Sequence, residues 1–72
     1  GKSIFLVTVT KRKAHKTKQG KPMHFVTGVV DGTVKELVIF DNKGSTLEVD
    51  RTYLMRLEGT KIVDFIPAIK KV

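Results

Sequence analysis

The sequence contains no cysteine, which excludes a disulfide framework and any thiolate metal site. Long apolar runs are missing too. The longest, Ile4 to Val7 and Leu37 to Phe40, are far too short to cross a bilayer. Gly1-Lys2-Ser3 runs straight into a strand-like segment without a signal-peptide pattern, so a cytoplasmic location is expected. Catalytic arrangements are equally scarce. Asp31, Glu36, Asp41, Glu48, Asp50, Glu58 and Asp64 are spread along the chain, mostly beside a cation or glycine, and form no nucleophile–base–orienter set. His15 and His24, nine residues apart without nearby carboxylates, make a poor metal site. Gly20-Lys21 lacks the rest of a phosphate-binding loop. No enzyme, cofactor or metal is expected.

What is present is β-structure. The 72 residues suit one domain, near the size at which a single core is marginal. β-Branched and aromatic residues dominate, and glycine or proline punctuates the chain about every ten residues, the pattern of a small all-β domain. Strands are expected at Ser3 to Thr10, Pro22 to Asp31, Thr33 to Asp41, Arg51 to Glu58 and Lys61 to Lys70. Asp31-Gly32 is a hairpin signal with a glycine available for positive φ. Leu47 to Asp50 is expected to extend a strand or cross the barrel end, and Pro67 argues that the fifth strand is an edge or bends there. Five closely spaced strands with a long first loop suit a minimal Greek-key barrel of the OB type. Residues 42 to 50 are too short for the usual helix between strands three and four, and contain Gly44 and Thr46. An SH3-like barrel has a similar strand count and stays open on periodicity alone.

The charge is uneven. Lys11, Arg12, Lys13, Lys16, Lys18 and Lys21 are six of the fourteen basic side chains, in eleven residues with no acid. Outside them, eight basic residues face seven acidic ones, so the net charge of +7 is local. A small domain that concentrates positive charge in one segment is built to hold a polyanion, nucleic acid being the usual one. The bland alternative is a solvated charge run that keeps the protein soluble. Mutual repulsion predicts a loop over 11 to 21 that is mobile when free and ordered by ligand.

The run Thr17-Lys18-Gln19-Gly20-Lys21-Pro22-Met23-His24-Phe25-Val26-Thr27, followed by Asp31-Gly32 and Glu36-Leu37-Val38-Ile39-Phe40, resembles the OB-fold of bacterial replicative DNA polymerase III alpha subunits. It is also similar to the small single-stranded-DNA-binding proteins of filamentous phages. Met23 stands where the phage proteins carry an aromatic, and Phe25 to Asp31 is a longer spacing than in the polymerase module. Both resemblances imply single-stranded nucleic acid binding. The phage one implies a homodimer or cooperative assembly, and the first places Phe25 where relatives stack a base.

Binding a single strand needs cations along the phosphates and aromatic faces for bases. Alternation places Val26, Gly28 and Val30 inside and Phe25, Thr27 and Val29 outside. Leu37 and Ile39 read as interior, with Val38 and Phe40 outward beside Phe25. Tyr53 alternates with Met55 and Leu57, so it is a stacking candidate with a competing core reading, while Phe5 and Phe65 read as core. Lys35, Arg56 and Lys61 are scattered charges that border a groove or simply solvate the surface. His24 reads as a part-buried imidazole or a rim donor, and His15 adds charge below neutral pH. Lys70 and Lys71 are a secondary contact.

The expectation is thus a largely sequence-independent single-stranded-DNA-binding OB barrel serving replication, recombination or repair. Lys11, Arg12, Lys13, Lys16, Lys18, Lys21, Lys35 and Arg56 would grip phosphates, with Phe25, Phe40 and Tyr53 under the bases. Two rivals stand beside it: an RNA-binding OB module of translation-factor or cold-shock kind, and an interaction barrel that docks a replication partner.

Overall fold

The computed structural model describes residues 3–68. The strands are β1 (Ser3–Lys16), β2 (Pro22–Val30), β3 (Thr33–Ile39), β4 (Thr52–Glu58) and β5 (Lys61–Pro67), and a single 3₁₀ turn, Asn42–Thr46, lies between β3 and β4. They close into a barrel in the order β1-β2-β3-β5-β4. Every pairing is antiparallel except the closure, where β3 meets β5 in parallel through Val38 and Lys61. The fold is all-β, consistent with the small OB-type barrel expected, and the 3₁₀ turn occupies the place of the usual helix. Beyond that closure β5 pairs only with β4, and Pro67 ends it, as an edge-strand proline should. Among the described residues no helix is long and apolar enough to cross a membrane.

Alternation builds the core. Val7, Val9, Val26, Val30, Leu37, Ile39, Met55, Leu57 and Ile62 all point inward and are buried, each stabilising the fold by about 1.5–3 kcal/mol. Gly28, opposite Val9, has no room for a side chain: a Cβ there would stand 2.5 Å from Val7 Cγ1. The β2–β3 hairpin turns on Asp31 and Gly32, at φ 51° and 76°. A two-residue loop with positive φ at both positions matches the right-handed twist of the flanking strands.

The segment Leu47 to Asp50 does not extend a strand, although the Asp50 amide donates to the Val9 carbonyl at 2.7 Å. Leu47 instead plugs the barrel end, 1% exposed. Asp41 caps the 3₁₀ turn by accepting from the Lys43 amide at 2.9 Å, and Gly44 packs against His24 and Ile39 so closely that a Cβ would meet His24 Cδ2 at 2.5 Å. Tyr53 is buried on β4, edge-on to Phe65 at 5.6 Å. Its hydroxyl accepts from the Glu48 amide at 2.8 Å, tying the segment to the barrel. Phe5 and Phe65 are partly buried and pack on the core.

The largest departure from the sequence reading is β1. Residues 11 to 16 are not loop: they pair with β2 from Lys11↔Thr27 to Lys16↔Pro22. β1 separates from β4 after Thr8 and continues with β2 as an arm. Only the connection from Thr17 to Lys21 is a turn, closed by Gly20 N–H to Thr17 O at 2.8 Å and Thr17 N–H to Lys21 O at 2.9 Å. Gly20 takes the left-handed position at φ 80°. A ladder on one side and a hydrogen-bonded turn at the tip replace the expected ligand-ordered loop.

Candidate nucleic-acid interface

One irregularity decides which side chains share a face. The ladder between β1 and β2 shifts register between Val9 and Lys11, leaving Thr10 as a bulge. Val7 and Val9 point into the core, and unbroken alternation would send Lys11, Lys13 and His15 the same way. The extra residue reverses the parity. Lys11 then sits opposite Thr27 and Lys13 opposite Phe25 on the outer face, and His15 opposite Met23, which is itself buried. The His15 ring lies 5.5 Å from that of Phe25, tilted 46°, and so reaches the same face.

The outer face carries a transverse row across four strands. Lys13 pairs with Phe25, Phe25 with Val38, and Val38 with Lys61. Strands about 4.8 Å apart thus bring an exposed aromatic ring, with an aliphatic neighbour, between two lysines. The next row along is Lys11–Thr27–Glu36. Phe25 keeps 45% of its surface exposed. An open groove of about 490 Å³ runs here, lined in part by Lys11, Lys13, Phe25, Thr27 and Glu36.

Arg12 falls on the opposite face of the arm. Its Nε donates to the Leu47 carbonyl at 2.9 Å, and its Nη1 lies 3.2 Å from His24 Nδ1. His24 is 4% exposed, and burial first, then the Arg12 charge, lowers its pKa below 6.5. The neutral ring accepts from the guanidinium. Arg12 therefore fastens the arm to the plug at the barrel end and also reaches the edge of the groove. Lys16 stands at the last rung of the ladder, and Lys18 and Lys21 flank the turn at the tip, all exposed.

Several sequence-derived candidates lie elsewhere. Tyr53 is 3% exposed and held by its hydroxyl, so it offers no face to a base; its alternation with Met55 and Leu57 carried the core signal. Lys35 pairs with Gly28 and lines a separate cleft with Ser3, Phe5, Asp31 and Leu57. Arg56 is on β4, paired with Ile4 and Asp64, among Leu54 and Ile66. Phe40 is outward as expected, 54% exposed just past the end of β3 and two residues on from Val38; like Val38, Lys61 and His15 it is not among the residues that line the groove. Lys70 and Lys71 lie outside the described residues. Conversely, Lys61 and His15 join the face around Phe25, brought there by the parallel closure and the bulge, neither of which has a sequence signature.

A second surface feature is apolar. Leu6 pairs with Leu54 and Leu54 with Ile66, with Ile4 next along β1. These four outward side chains are 37–59% exposed.

No family model matches the chain, and a search of curated proteins finds no relative.

Proposed function

We propose that this protein binds single-stranded DNA, largely without sequence preference, through the face built around Phe25. The observation that carries the reading is the row Lys13–Phe25–Val38–Lys61. An exposed ring bounded by cations suits a chain whose bases are apolar-faced and whose phosphates lie to either side. A duplex hides its base faces, so the ring favours single strands. The arm extends the cationic track through Lys11, Lys16, Lys18 and Lys21, a ribbon laid along the phosphates. The resemblance of residues 16 to 41 to single-strand-binding OB modules points the same way.

A second copy of the chain is the partner we propose for the apolar patch. Ile4, Leu6, Leu54 and Ile66 together expose roughly 400 Å². Pairing two such patches removes about twice that, ~800 Å², so the surrounding rim has to supply the remaining ~400 Å² of the ~1,200 Å² that the smaller specific interfaces bury. Arg56 and Asp64, paired across the ladder beside the patch, give it no net charge, whereas the arm repels its copy. Two linked sites hold a strand more tightly than either alone.

Fluorescence-anisotropy titration of oligo-dT, oligo-U and duplex DNA across a salt series tests the reading. Preference for oligo-dT over duplex, with affinity falling as salt rises, supports it. A tenfold preference for oligo-U assigns the face to RNA instead. Failure of every oligonucleotide to bind at physiological salt favours a protein-docking barrel.

A further inference from the structure

Glu36 is out of place in a groove that grips phosphates. It is the one carboxylate lining it, paired across the ladder with Thr27, one alternation step from Val38 and so about 7 Å along the strand from the Phe25 row. Thr27 Oγ1 donates to its Oε2 at 3.0 Å, which fixes the carboxylate group and leaves Oε1 unengaged by that bond. Among the described residues the one ion pair is Arg51–Glu48, so neither Lys11 nor Lys13 is in ion-pair contact with Glu36, although both line the same groove. A carboxylate held there repels phosphate and accepts hydrogen bonds only.

We propose that Glu36 reads the edge of the base stacked on Phe25, giving an otherwise tolerant site a preference for guanine. This rests on the single-strand-binding reading. Guanine presents N1–H and N2–H₂ side by side on its Watson–Crick edge, and a carboxylate accepts both. Cytosine and adenine each offer one amino group beside an acceptor nitrogen. Thymine sets its single N3–H between two carbonyl oxygens, which the carboxylate repels. The order of preference is guanine, then cytosine and adenine, then thymine. Thr27 acts as the positioning residue, since its hydroxyl orients the carboxylate without touching the base.

The test compares a short oligo-dT with the same oligomer carrying one central dG, dC or dA; a single guanine avoids four-stranded assemblies. Wild-type protein should bind the dG oligomer at least about fivefold more tightly than oligo-dT, the lower end of a bidentate base contact. In Glu36→Gln, which keeps a partner for Thr27 and lies on the surface, the added amide donor suits thymine O4. The dG advantage should shrink or invert, and oligo-dT affinity should rise. Equal wild-type affinities for all four oligomers overturn the inference while leaving single-strand binding intact, and so does a dG advantage that survives in Glu36→Gln. Failure of all four to bind overturns the reading beneath it.

Discussion

The Arg12 guanidinium and the His24 imidazole meet on the inner side of the arm, Nη1 to Nδ1 at 3.2 Å. The contact requires a neutral ring, because a protonated imidazole has no lone pair to offer. Burial and then the Arg12 charge lower the His24 pKa in the folded protein below 6.5. The unfolded chain thus takes up this proton at a higher pH than the folded one, so stability rises with pH across the interval between the two values. The contribution is whole above about pH 6.5 and is lost as the pH falls through the folded-state value. Urea midpoints at about pH 7.5 and pH 5 should show a drop that is smaller in His24→Gln. An equal drop in both proteins contradicts this role for His24.

Tyr53 and Phe25 should separate stability from binding. Tyr53→Phe leaves the part-buried Glu48 amide without its partner and should cost about 0.5–1.5 kcal/mol in urea unfolding. Its oligonucleotide affinity should match the wild type. Loss of affinity without loss of stability would return Tyr53 to the interface.

The contrast between those two aromatics also shows how far the sequence could be read. Val26, Gly28 and Val30 alternate cleanly because one face of β2 is core and the other is not, so Phe25 was legible as outward. Asp31-Gly32 announced its hairpin because few residues tolerate positive φ. The segment from Lys11 to Lys16 carried no such signal: both faces of the arm are polar, and a strand with two wet faces has no hydrophobic period. The Thr10 bulge was illegible for a different reason. It depends on where β1 parts from β4, a tertiary event, yet it decides that Lys13 rather than Arg12 stands beside Phe25. Lys61 reaches the same face only through the parallel closure between β3 and β5, which no local pattern encodes.

Salt dependence should follow that geometry. Each phosphate neutralised on a single strand contributes about 0.7 to the slope of log K against log salt. Lys13→Gln should lower the slope for oligo-dT by roughly that amount, whereas Arg56→Gln, on the β4 surface with Ile4 and Asp64, should leave it unchanged. Equal effects from the two would mean the strand does not follow the arm.

The apolar patch predicts self-association that can be broken without touching the arm. Sedimentation equilibrium should report a dimer at micromolar concentration, and Leu6→Glu, which sets a charge opposite Leu54 on the exposed face, should yield a monomer. A wild-type monomer at every concentration tested, or a dimer that persists in Leu6→Glu, assigns the patch to something other than a second copy.

The most direct test of the central claim is the affinity of Phe25→Ala for a dT oligonucleotide at fixed salt, measured on protein whose urea midpoint is close to wild type. The ring is 45% exposed, so the fold should survive its loss. The stacking role predicts weaker binding by about 5- to 150-fold, the equivalent of about 1–3 kcal/mol for one stacked base. Wild-type affinity in Phe25→Ala would contradict the proposed interface.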